Sequence, residues 1–310
     1  MAVLLSTKAA TMDWWRRALL AVDPSLTIRL FPDAGDPAEI EAAVVWTAHD
    51  MAELRRYPNL KLIVSMGAGV DHLLRPPGPP PGIPVARLVD RMLTTQMGEW
   101  VLLNVLRFHR QDLEYRALQA AKRWEELPAP VTAETRIGIL GLGELGSHAA
   151  GLLTRLGFPV MGWTRRPKVV DGVQTFHGAD GLAAMAARSN ILVCLLPLTP
   201  ETRGIVDATL LSRLPKGAFL INGARGGHVV DVDLLAALET GQVAAAALDV
   251  FQPEPLPVDH AYWSHPKVVM TPHAASITIP ESAAPQVVEN LHRARAGEAL
   301  MNLVDFSAGY

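Results

Sequence analysis

A glycine-rich turn in the middle of the chain constrains the fold more than any other feature of the sequence. Gly141, Gly143 and Gly146 follow the apolar run Ile137–Leu140 and precede an Ala- and Leu-rich stretch with helical periodicity. A strand, a glycine turn and a helix in this order form the phosphate-binding corner of a dinucleotide fold. The first glycine permits the tight turn, the second lets the backbone approach a pyrophosphate, and the third lets the helix pack against its strand. The sequence therefore predicts a Rossmann-type lobe.

The position of this turn indicates a second domain. It begins at residue 141 of 310, so a substantial segment precedes it. Hydrophobic residues make up 49% and charged residues 19% of the chain, as in a globular protein with a full core. The net charge of −3 gives no basic footprint for nucleic acid.

Cysteine usage and the N-terminal run bound the setting of the protein. The only cysteine, Cys194, excludes an intrachain disulfide, and no Cys/His cluster has zinc-like spacing. The apolar residues 2–6 are too few to span a membrane. We therefore expect a cytoplasmic protein with no metal site and no membrane partner.

Short apolar runs alternate with helical stretches, which predicts parallel sheets covered by helices. Strands are predicted at residues 3–5, 27–31, 44–46, 62–65, 84–86, 137–140, 159–163, 191–195, 218–221, 243–248 and 268–270. Helices are predicted near residues 12–21, 51–56, 145–156, 181–187, 232–239 and 280–296. A long proline-free helical pattern from about 94 to 124 is expected to link two domains.

Two doubly wound α/β lobes, Rossmann- or flavodoxin-like, account for this order if the nucleotide-binding lobe is inserted into the other lobe. The predicted substrate-binding domain comprises residues 1–97 and 281–310. The predicted dinucleotide-binding domain comprises residues 98–280.

Three residues of the second lobe carry the candidate chemistry. Arg225, Glu254 and His273 each lie just after a predicted strand. In an open parallel sheet, ligands bind outside the carboxyl ends of the strands, so these side chains are expected to converge on one crevice. Each residue alone is typical of a solvated loop, but the three together behind a dinucleotide turn indicate a catalytic site.

Further motifs connect the chain with a known family. They are Ser-Met-Gly-Ala-Gly-Val-Asp at 65–71, Gln-Met-Gly-Glu at 96–99, Leu-Pro-Leu-Thr-Pro-Glu-Thr at 196–202 and Thr-Pro-His at 271–273. With them, nearly the whole chain resembles the D-isomer-specific 2-hydroxyacid dehydrogenases, and among these it is most similar to the glyoxylate/hydroxypyruvate reductases of type A. It departs from the family pattern at Gly98, usually alanine, and at Trp100, where a smaller aromatic residue or histidine is common.

The resemblance implies a role for each candidate residue. Arg225 would hold the substrate carboxylate and polarise the ketone, because its planar guanidinium matches a carboxylate. His273 would donate a proton to the developing alkoxide, and Glu254 would bind the other ring nitrogen and stabilise the imidazolium. The hydride would come from the cofactor.

Other contacts implied by the resemblance come from both lobes. The backbone amides of Ala68, Gly69 and Val70 would form a second clamp on the carboxylate, and Asp249 would bind the nicotinamide carboxamide. Trp46, which follows a strand of the first lobe, is expected either to wall the substrate pocket or to pack in the core.

The remaining predicted cofactor contacts lie in the glycine turn, in three later segments of the nucleotide lobe and at the start of the linking helix. They are Gly141, Gly143, Glu144, Leu145, Gly146, Leu196, Pro197, Thr202, Ala224 and Met97. Met97 is expected near the nicotinamide or in the core. Resemblance also implies a homodimer formed through the nucleotide lobe and the linking helix.

The end of the second nucleotide-lobe strand predicts the cofactor. NAD-specific relatives carry an acid there, whereas this chain has Thr164, Arg165, Arg166 and Lys168. Cationic groups and a hydroxyl suit a 2′-phosphate, although a solvated basic turn is the alternative. NADP(H) is therefore the preferred cofactor and NAD(H) the second choice.

The sequence thus predicts an NADPH-dependent reductase of small 2-oxo acids, with glyoxylate and hydroxypyruvate as first candidates. One alternative is a 2-hydroxyacid dehydrogenase for a bulkier 2-ketoacid such as phenylpyruvate. A remote alternative is a nucleotide-sensing protein that resembles a corepressor, which the presence of Arg225, Glu254 and His273 disfavours.

Overall fold

The structure, a computed structural model, describes residues 2–46 and 51–306. Its backbone contacts divide the chain into two compact units, Met1–Leu93 with Ile277–Tyr310, and Thr94–Ser276. Each unit contains one sheet in which every strand pairing is parallel. The predicted fold class of two doubly wound parallel-sheet lobes is confirmed. The boundaries between the units fall a few residues before the predicted ones.

The first unit is built on five strands. They are β1 (Ala2–Ser6), β2 (Thr27–Leu30), β3 (Ile40–Val45), β4 (Leu62–Ser65) and β5 (Val85–Ala86). Their order in the sheet is β2-β1-β3-β4-β5, which is the flavodoxin-like doubly wound order. Every residue of β1 and β4 is buried, as expected for parallel strands covered on both faces.

Two helices cover one face of this sheet. They are α1 (Ala9–Val22) and the C-terminal helix α8 (Pro280–Ala296), which share a core with β1, β3 and β4. Val287 and Leu291 of α8 are fully or almost fully buried there, at the i, i+4 spacing that places them on one helix face. Each such side chain contributes about 1.5–3 kcal/mol of transfer free energy. The other face is covered partly by residues 51–56, where the predicted helix is a 3-10 helix.

The second unit is built on seven strands. They are β6 (Ile137–Leu140), β7 (Val160–Thr164), β8 (Val173–His177), β9 (Ile191–Cys194), β10 (Ala218–Asn222), β11 (Val243–Leu248) and β12 (Val268–Met270). The order β8-β7-β6-β9-β10-β11-β12 is that of a Rossmann sheet with one extra strand. The strand order reverses at β6, so the crevice that binds a ligand in such folds opens between the loops after β6 and β9.

Helices flank this sheet and follow the predicted order, with one short helix added and the predicted linking helix divided in two. They are α2 (Arg91–His109), α3 (Asp112–Ala120), α4 (Glu144–Arg155), α5 (Gly178–Ala186), α6 (Ala208–Arg213) and α7 (Asp231–Thr240). Neither α6 nor the edge strand β8 was predicted. The β8 segment Val-Gln-Thr-Phe-His is polar and only partly buried, so it lacks the apolar run of an inner strand.

The single linking helix predicted from about 94 to 124 is wrong. The chain breaks at Gln111, which adopts a left-handed backbone conformation with φ of 58°, and α3 ends at Ala120. Before the break, Val101, Val105 and Phe108 are buried in the core, whereas no residue of α3 is buried among the described part of the chain. Loss of core packing therefore ends the continuous helix without a proline. Within residues 2–46 and 51–306, no helix has the length and apolar character needed to cross a bilayer.

Candidate active site

The glycine turn joins β6 to α4 at the point where the strand order of the second unit reverses. Gly141 has φ of 95°, and a Cβ there would lie 2.9 Å from the Leu195 carbonyl oxygen. A Cβ at Gly146 would overlap the Gly141 carbonyl oxygen, so α4 packs directly on the turn. Both positions therefore require glycine for a steric reason internal to the fold.

Gly143 requires a different explanation, because a Cβ there would meet nothing within 4 Å in the protein. It is the exposed N-cap residue of α4, and no side chain caps the amides that follow. Glu144 is exposed and Leu145 is half-buried in that first turn. An open backbone at a helix N-terminus is a site for a phosphate group, so this cradle fits the pyrophosphate of a dinucleotide.

The basic turn after β7 lies beside the glycine turn. Lys168 donates a hydrogen bond to the carbonyl of Leu142, and the Thr164 hydroxyl donates to the carbonyl of Arg166, at 2.6 Å. The Thr164 hydroxyl predicted to meet a cofactor therefore also fixes the turn. Arg165 and Arg166 are exposed, so both guanidinium groups are accessible to an anion.

The charge of Arg165 acts on the loop after β9. The pKa of the Glu201 carboxyl is held below its usual value, first by a hydrogen bond from Thr199 and, to a smaller degree, by the charge of Arg165. Since β6 lies between β7 and β9 in the sheet, Arg165 and the 196–202 loop flank the glycine turn from two sides.

The predicted contacts in the 196–202 loop are mainly internal. Leu196 and Thr202 are buried and Pro197 is half-buried. The Thr202 hydroxyl donates to the Pro197 carbonyl at 2.7 Å and accepts from the Thr199 amide at 2.8 Å. Thr202 thus shapes the loop, and its direct contact with a cofactor stays a prediction.

Arg225 lies in a turn after β10 that two buried polar residues hold. Asn222 donates to the Arg225 carbonyl at 3.0 Å and accepts from the Ala224 amide at 3.1 Å. His228, fully buried, accepts from the Arg225 amide at 3.2 Å, and its other ring nitrogen lies 3.2 Å from the Pro197 carbonyl. The turn that carries the guanidinium is therefore tied to the 196–202 loop.

Glu254 and His273 form a hydrogen-bonded pair. The Nδ1 atom of His273 lies 2.8 Å from Oε2 of Glu254, while Oε1 accepts from the Phe251 amide at 2.9 Å. Both carboxylate oxygens are engaged, so the carboxylate cannot turn away from the ring. The His273 Nδ1–H then points to Glu254, which leaves Nε2 as the nitrogen available for proton transfer.

The electrostatics of Glu254 connect this pair with Arg225. Partial burial opposes ionisation of Glu254, but hydrogen bonds from His273 and Phe251 and the charges of His273 and Arg225 outweigh it. The pKa of the Glu254 carboxyl is therefore below its usual value of 4.5. The structure thus brings the three predicted residues Arg225, Glu254 and His273 into one electrostatic group.

Asp249 holds the backbone around His273. Its Oδ1 atom accepts from the Thr271 hydroxyl and from the amides of Ala274 and Ala275, at 2.5, 2.8 and 3.0 Å. Its carbonyl accepts from the His273 amide at 2.7 Å. His273 has φ of 53°, a left-handed conformation that costs about 1–3 kcal/mol in a non-glycine residue, and these bonds offset that cost. The predicted carboxamide contact of Asp249 stays a prediction.

Two residues predicted to contact the cofactor lie in or against the Arg225 turn. Ala224 is buried within that turn. Met97 is buried in α2, and a Cβ added to Gly223 would lie 3.1 Å from its sulfur atom. Met97 therefore packs in the core of the second unit, which was one of its two predicted settings.

The remaining predicted contacts belong to the first unit. Trp46 is half-buried, packs edge-on against His72 at 5.2 Å between ring centroids, and occupies the space that a Cβ on Gly67 would fill. Ala68, Gly69 and Val70 follow β4. Among the residues that the structure describes, none accepts a hydrogen bond from their three amide N–H groups. The loop therefore presents free donors, as a carboxylate clamp requires.

The sequence interpretation missed Asn222, His228 and the Trp100–Thr271 contact. A buried Asn at the end of a strand and before a glycine is a recognisable turn signal. By contrast, His228 and Trp100 gain their contacts from residues far away in the chain, which no local pattern reveals. No group of three or more His, Cys, Asp or Glu side chains within the described ranges is arranged to hold a metal ion.

The sequence is similar to those of known proteins. A family profile described as "D-isomer specific 2-hydroxyacid dehydrogenase, NAD binding domain" matches residues 102–275. The chain is 43% identical over 301 residues to glyoxylate/hydroxypyruvate reductase A of Yersinia enterocolitica (serotype O:8, biotype 1B), covering 96% of each chain.

Solved structures show the same likeness. A D-isomer-specific 2-hydroxyacid dehydrogenase from Xanthobacter autotrophicus Py2, in complex with NADPH and MES, superimposes with a TM-score of 0.95 at 44% identity, over 99% of each chain. An NADPH-dependent glyoxylate/hydroxypyruvate reductase from Sinorhizobium meliloti, in complex with NADP and sulfate, gives a TM-score of 0.92 at 38% identity, over 100% of this chain and 99% of the other.

Proposed function

The chain belongs to the D-isomer-specific 2-hydroxyacid dehydrogenase family, and from that premise we propose that it reduces small 2-oxo acids to 2-hydroxy acids with NADPH. The family predicted from the sequence motifs is confirmed, and with it an oxidoreductase that uses a nicotinamide cofactor. Glyoxylate and hydroxypyruvate are the proposed substrates, because the similar Yersinia and Sinorhizobium proteins are named for them.

One observation carries this proposal. The His273–Glu254 pair, with its 2.8 Å hydrogen bond, lies in the field of the Arg225 guanidinium at the carboxyl edge of a Rossmann sheet. A proton donor beside a carboxylate-binding cation suits a substrate that has a ketone next to a carboxylate. A protein that only senses nucleotides needs neither group.

The residues divide the reaction as follows. Bound nicotinamide cofactor supplies the hydride, and the glycine turn with the N-terminus of α4 holds its pyrophosphate. Arg225 binds the substrate carboxylate and polarises the ketone oxygen. Protonated His273 donates its Nε2 proton to that oxygen as negative charge develops and becomes a neutral ring, and Glu254 stabilises the imidazolium that exists before the transfer. In the first unit, the amides of Ala68, Gly69 and Val70 are proposed as further donors to a substrate carboxylate.

The proposed preference for NADPH depends on the turn after β7. Thr164, Arg165 and Arg166 occupy the place where an acid would select NAD, and both arginines are exposed. Arg166 shares the turn and supplies the second guanidinium.

The test measures kcat/KM for NADPH and for NADH with glyoxylate, hydroxypyruvate and phenylpyruvate in the wild type and Arg165→Ala. We expect the wild type to prefer NADPH and the two small acids. Arg165→Ala should lower kcat/KM about tenfold for NADPH alone, because one charge-assisted contact with the 2′-phosphate is lost. Lys216→Ala is the matched control, because this exposed cation precedes β10 at the amino-terminal ends of the strands, whereas Arg165 follows β7 at their carboxyl ends.

Three outcomes contradict parts of the proposal. A wild-type preference for NADH contradicts the cofactor assignment. A preference for phenylpyruvate replaces the small acids with a bulkier 2-ketoacid. Tight NADPH binding without turnover of any 2-oxo acid favours the nucleotide-sensing alternative.

We further propose a homodimer. Apolar side chains remain exposed on and after the helices that were predicted to mediate it: Leu103 of α2, Tyr115 of α3 and the fully exposed Trp124. Such exposed apolar groups are typical of a protein interface. Sedimentation equilibrium that gives a mass near twice 33.5 kDa supports the dimer, and a monomer mass contradicts it.

A further inference from the structure

One aromatic residue contacts both loops that carry the proposed chemistry. Trp100 is a buried residue of α2 in the core of the second unit. Its indole N–H donates to the Thr271 hydroxyl at 3.1 Å. Its ring lies over Gly223, where a Cβ would be 3.0 Å from ring atom Cζ3. The first contact leads to His273 and the second to Arg225.

The contact with Thr271 continues as a chain of hydrogen bonds. Thr271 donates its only hydroxyl proton to Asp249 Oδ1, so its lone pairs face the Trp100 indole. The same Oδ1 atom accepts from the amides of Ala274 and Ala275. These bonds enclose His273, whose left-handed backbone must be held against its own strain. An indole that orients the Thr271 hydroxyl therefore helps to fix the direction of the His273 ring.

The contact with Gly223 acts on the other loop. Gly223 connects Asn222, the last residue of β10, with the Ala224–Arg225 turn. The Trp100 ring and the Met97 sulfur fill the space above its Cα atom. Since Asn222 binds both ends of the turn, a shift of Gly223 displaces the backbone from which the Arg225 guanidinium extends.

We propose that Trp100 is a positioning residue that sets the proton donor His273 and the carboxylate-binding Arg225 in register with each other. This inference rests on the proposed reductase function. It assigns to a core aromatic residue two separable effects: its N–H acts on the rate of proton donation, and its ring acts on substrate binding.

The two effects are separated by two variants. Thr271→Val removes the hydroxyl and leaves the ring in place, so kcat for glyoxylate falls about tenfold while KM for glyoxylate stays unchanged. Trp100→Phe loses the N–H and shortens the ring, so kcat falls by a similar factor and KM for glyoxylate also rises, by about threefold. Thr271→Ser restores the hydroxyl and recovers most of the rate.

A double-mutant cycle distinguishes positioning from simple packing. In Trp100→Phe/Thr271→Val, kcat is no lower than in Trp100→Phe, because both changes break the same chain. Trp263→Phe is the matched control: it removes an indole hydrogen bond to the Pro257 carbonyl in the same unit and leaves both kinetic parameters unchanged. Multiplicative losses of kcat in the double variant, or an unchanged KM in Trp100→Phe, overturn the proposal.

A measurement without turnover keeps this inference separate from the proposed function. If the wild type reduces no 2-oxo acid, the proposed function fails. The His273 ring signals in NMR spectra of the unliganded protein then still report its orientation. Trp100→Phe and Thr271→Val shift or broaden those signals and Trp263→Phe does not. If thermal unfolding shows that both variants are folded and their His273 signals are unaltered, the inference is overturned.

Discussion

The two parallel-sheet units of this protein differ in the kind of group that they contribute as candidate site residues. In the seven-stranded unit, the candidates for chemistry are charged side chains after strands β10, β11 and β12, each held by hydrogen bonds from its own unit. In the five-stranded unit, the candidates are backbone amides of the loop after β4 and one aromatic side chain. Under the proposed function, proton transfer would depend on side-chain identity in the second unit, and the first unit would contribute to recognition mainly through its backbone amides.

This difference has a physical reason. A group that transfers a proton must change its charge, and only a titratable side chain does so near neutral pH. A carboxylate, by contrast, can also be bound by backbone amide N–H groups. Unlike a long charged side chain, these groups lose no side-chain conformational entropy on binding. Side-chain substitutions at the candidate site should therefore lower kcat in the second unit and mainly change substrate binding in the first.

The largest effect is expected for His273→Asn. Asparagine tolerates the left-handed conformation at φ of 53°, so the loop should keep its shape while the proton donor is lost. We expect kcat to fall about 10³-fold, within the range of general acid catalysis. NADPH affinity, measured by fluorescence titration, should stay unchanged. Turnover at the wild-type rate would show that His273 is not the acid.

A smaller effect is expected for Glu254→Gln. The neutral amide keeps the shape of the side chain but removes the negative charge beside the His273 ring. We therefore expect kcat to fall about tenfold near neutral pH. Turnover of Glu254→Gln at the wild-type rate, measured as kcat for glyoxylate, would contradict the proposed support of His273 by the carboxylate.

Thermal stability gives an independent readout of the same carboxylate. The pKa of Glu254 is lower in the folded protein than its usual value of 4.5, so the folded state binds this proton less tightly than the unfolded chain. The resulting stabilisation is complete above pH 4.5 and is lost as the pH falls through the folded-state pKa. Wild type should therefore exceed Glu254→Gln in Tm at pH 6 by more than at pH 3. An equal difference in Tm between the two proteins at pH 6 and at pH 3 would contradict a lowered pKa of Glu254 in the folded state.

The smallest effect is expected in the first unit, for Trp46→Phe. The Trp46 ring fills the space beside Gly67 and next to the amides of the proposed clamp, so its truncation should loosen the loop slightly. We expect KM for glyoxylate to rise about twofold to threefold with kcat unchanged, since no titratable group is altered. A fall in kcat comparable to that of Glu254→Gln would erase the contrast between the two units.

The alternation of apolar runs was sufficient to predict the fold class and all but one of the strands, because strands buried on both faces must be apolar throughout. The edge strand β8 escaped because its segment is polar and partly exposed. The helix α6 carries a signal that was available, since the Asp207 side chain accepts from the Leu210 amide as an N-cap. The break at Gln111 carries none, because no glycine or proline marks it.

The candidate site divides in the same way. Gly141 and Gly146 could be named from the sequence because they belong to a strand–turn–helix motif. Arg225, Glu254 and His273 could be named because each lies in the loop after a parallel strand, and parallel strands deliver such residues to one edge. The supports of these residues could not. Asp249, for example, stabilises the loop of His273 through hydrogen bonds to residues more than twenty positions away.

The sequence by itself therefore determined the two α/β lobes, the family and the residues that carry charge at the strand ends, because these follow from local periodicity and short motifs. Only the tertiary structure decided how the charges are held: the 2.8 Å pairing of His273 with Glu254, the left-handed backbone of His273 and the contact of Trp100 with two separate loops. Distances of this kind depend on how distant segments pack, and side-chain packing is specified by the whole core rather than by neighbours in the chain.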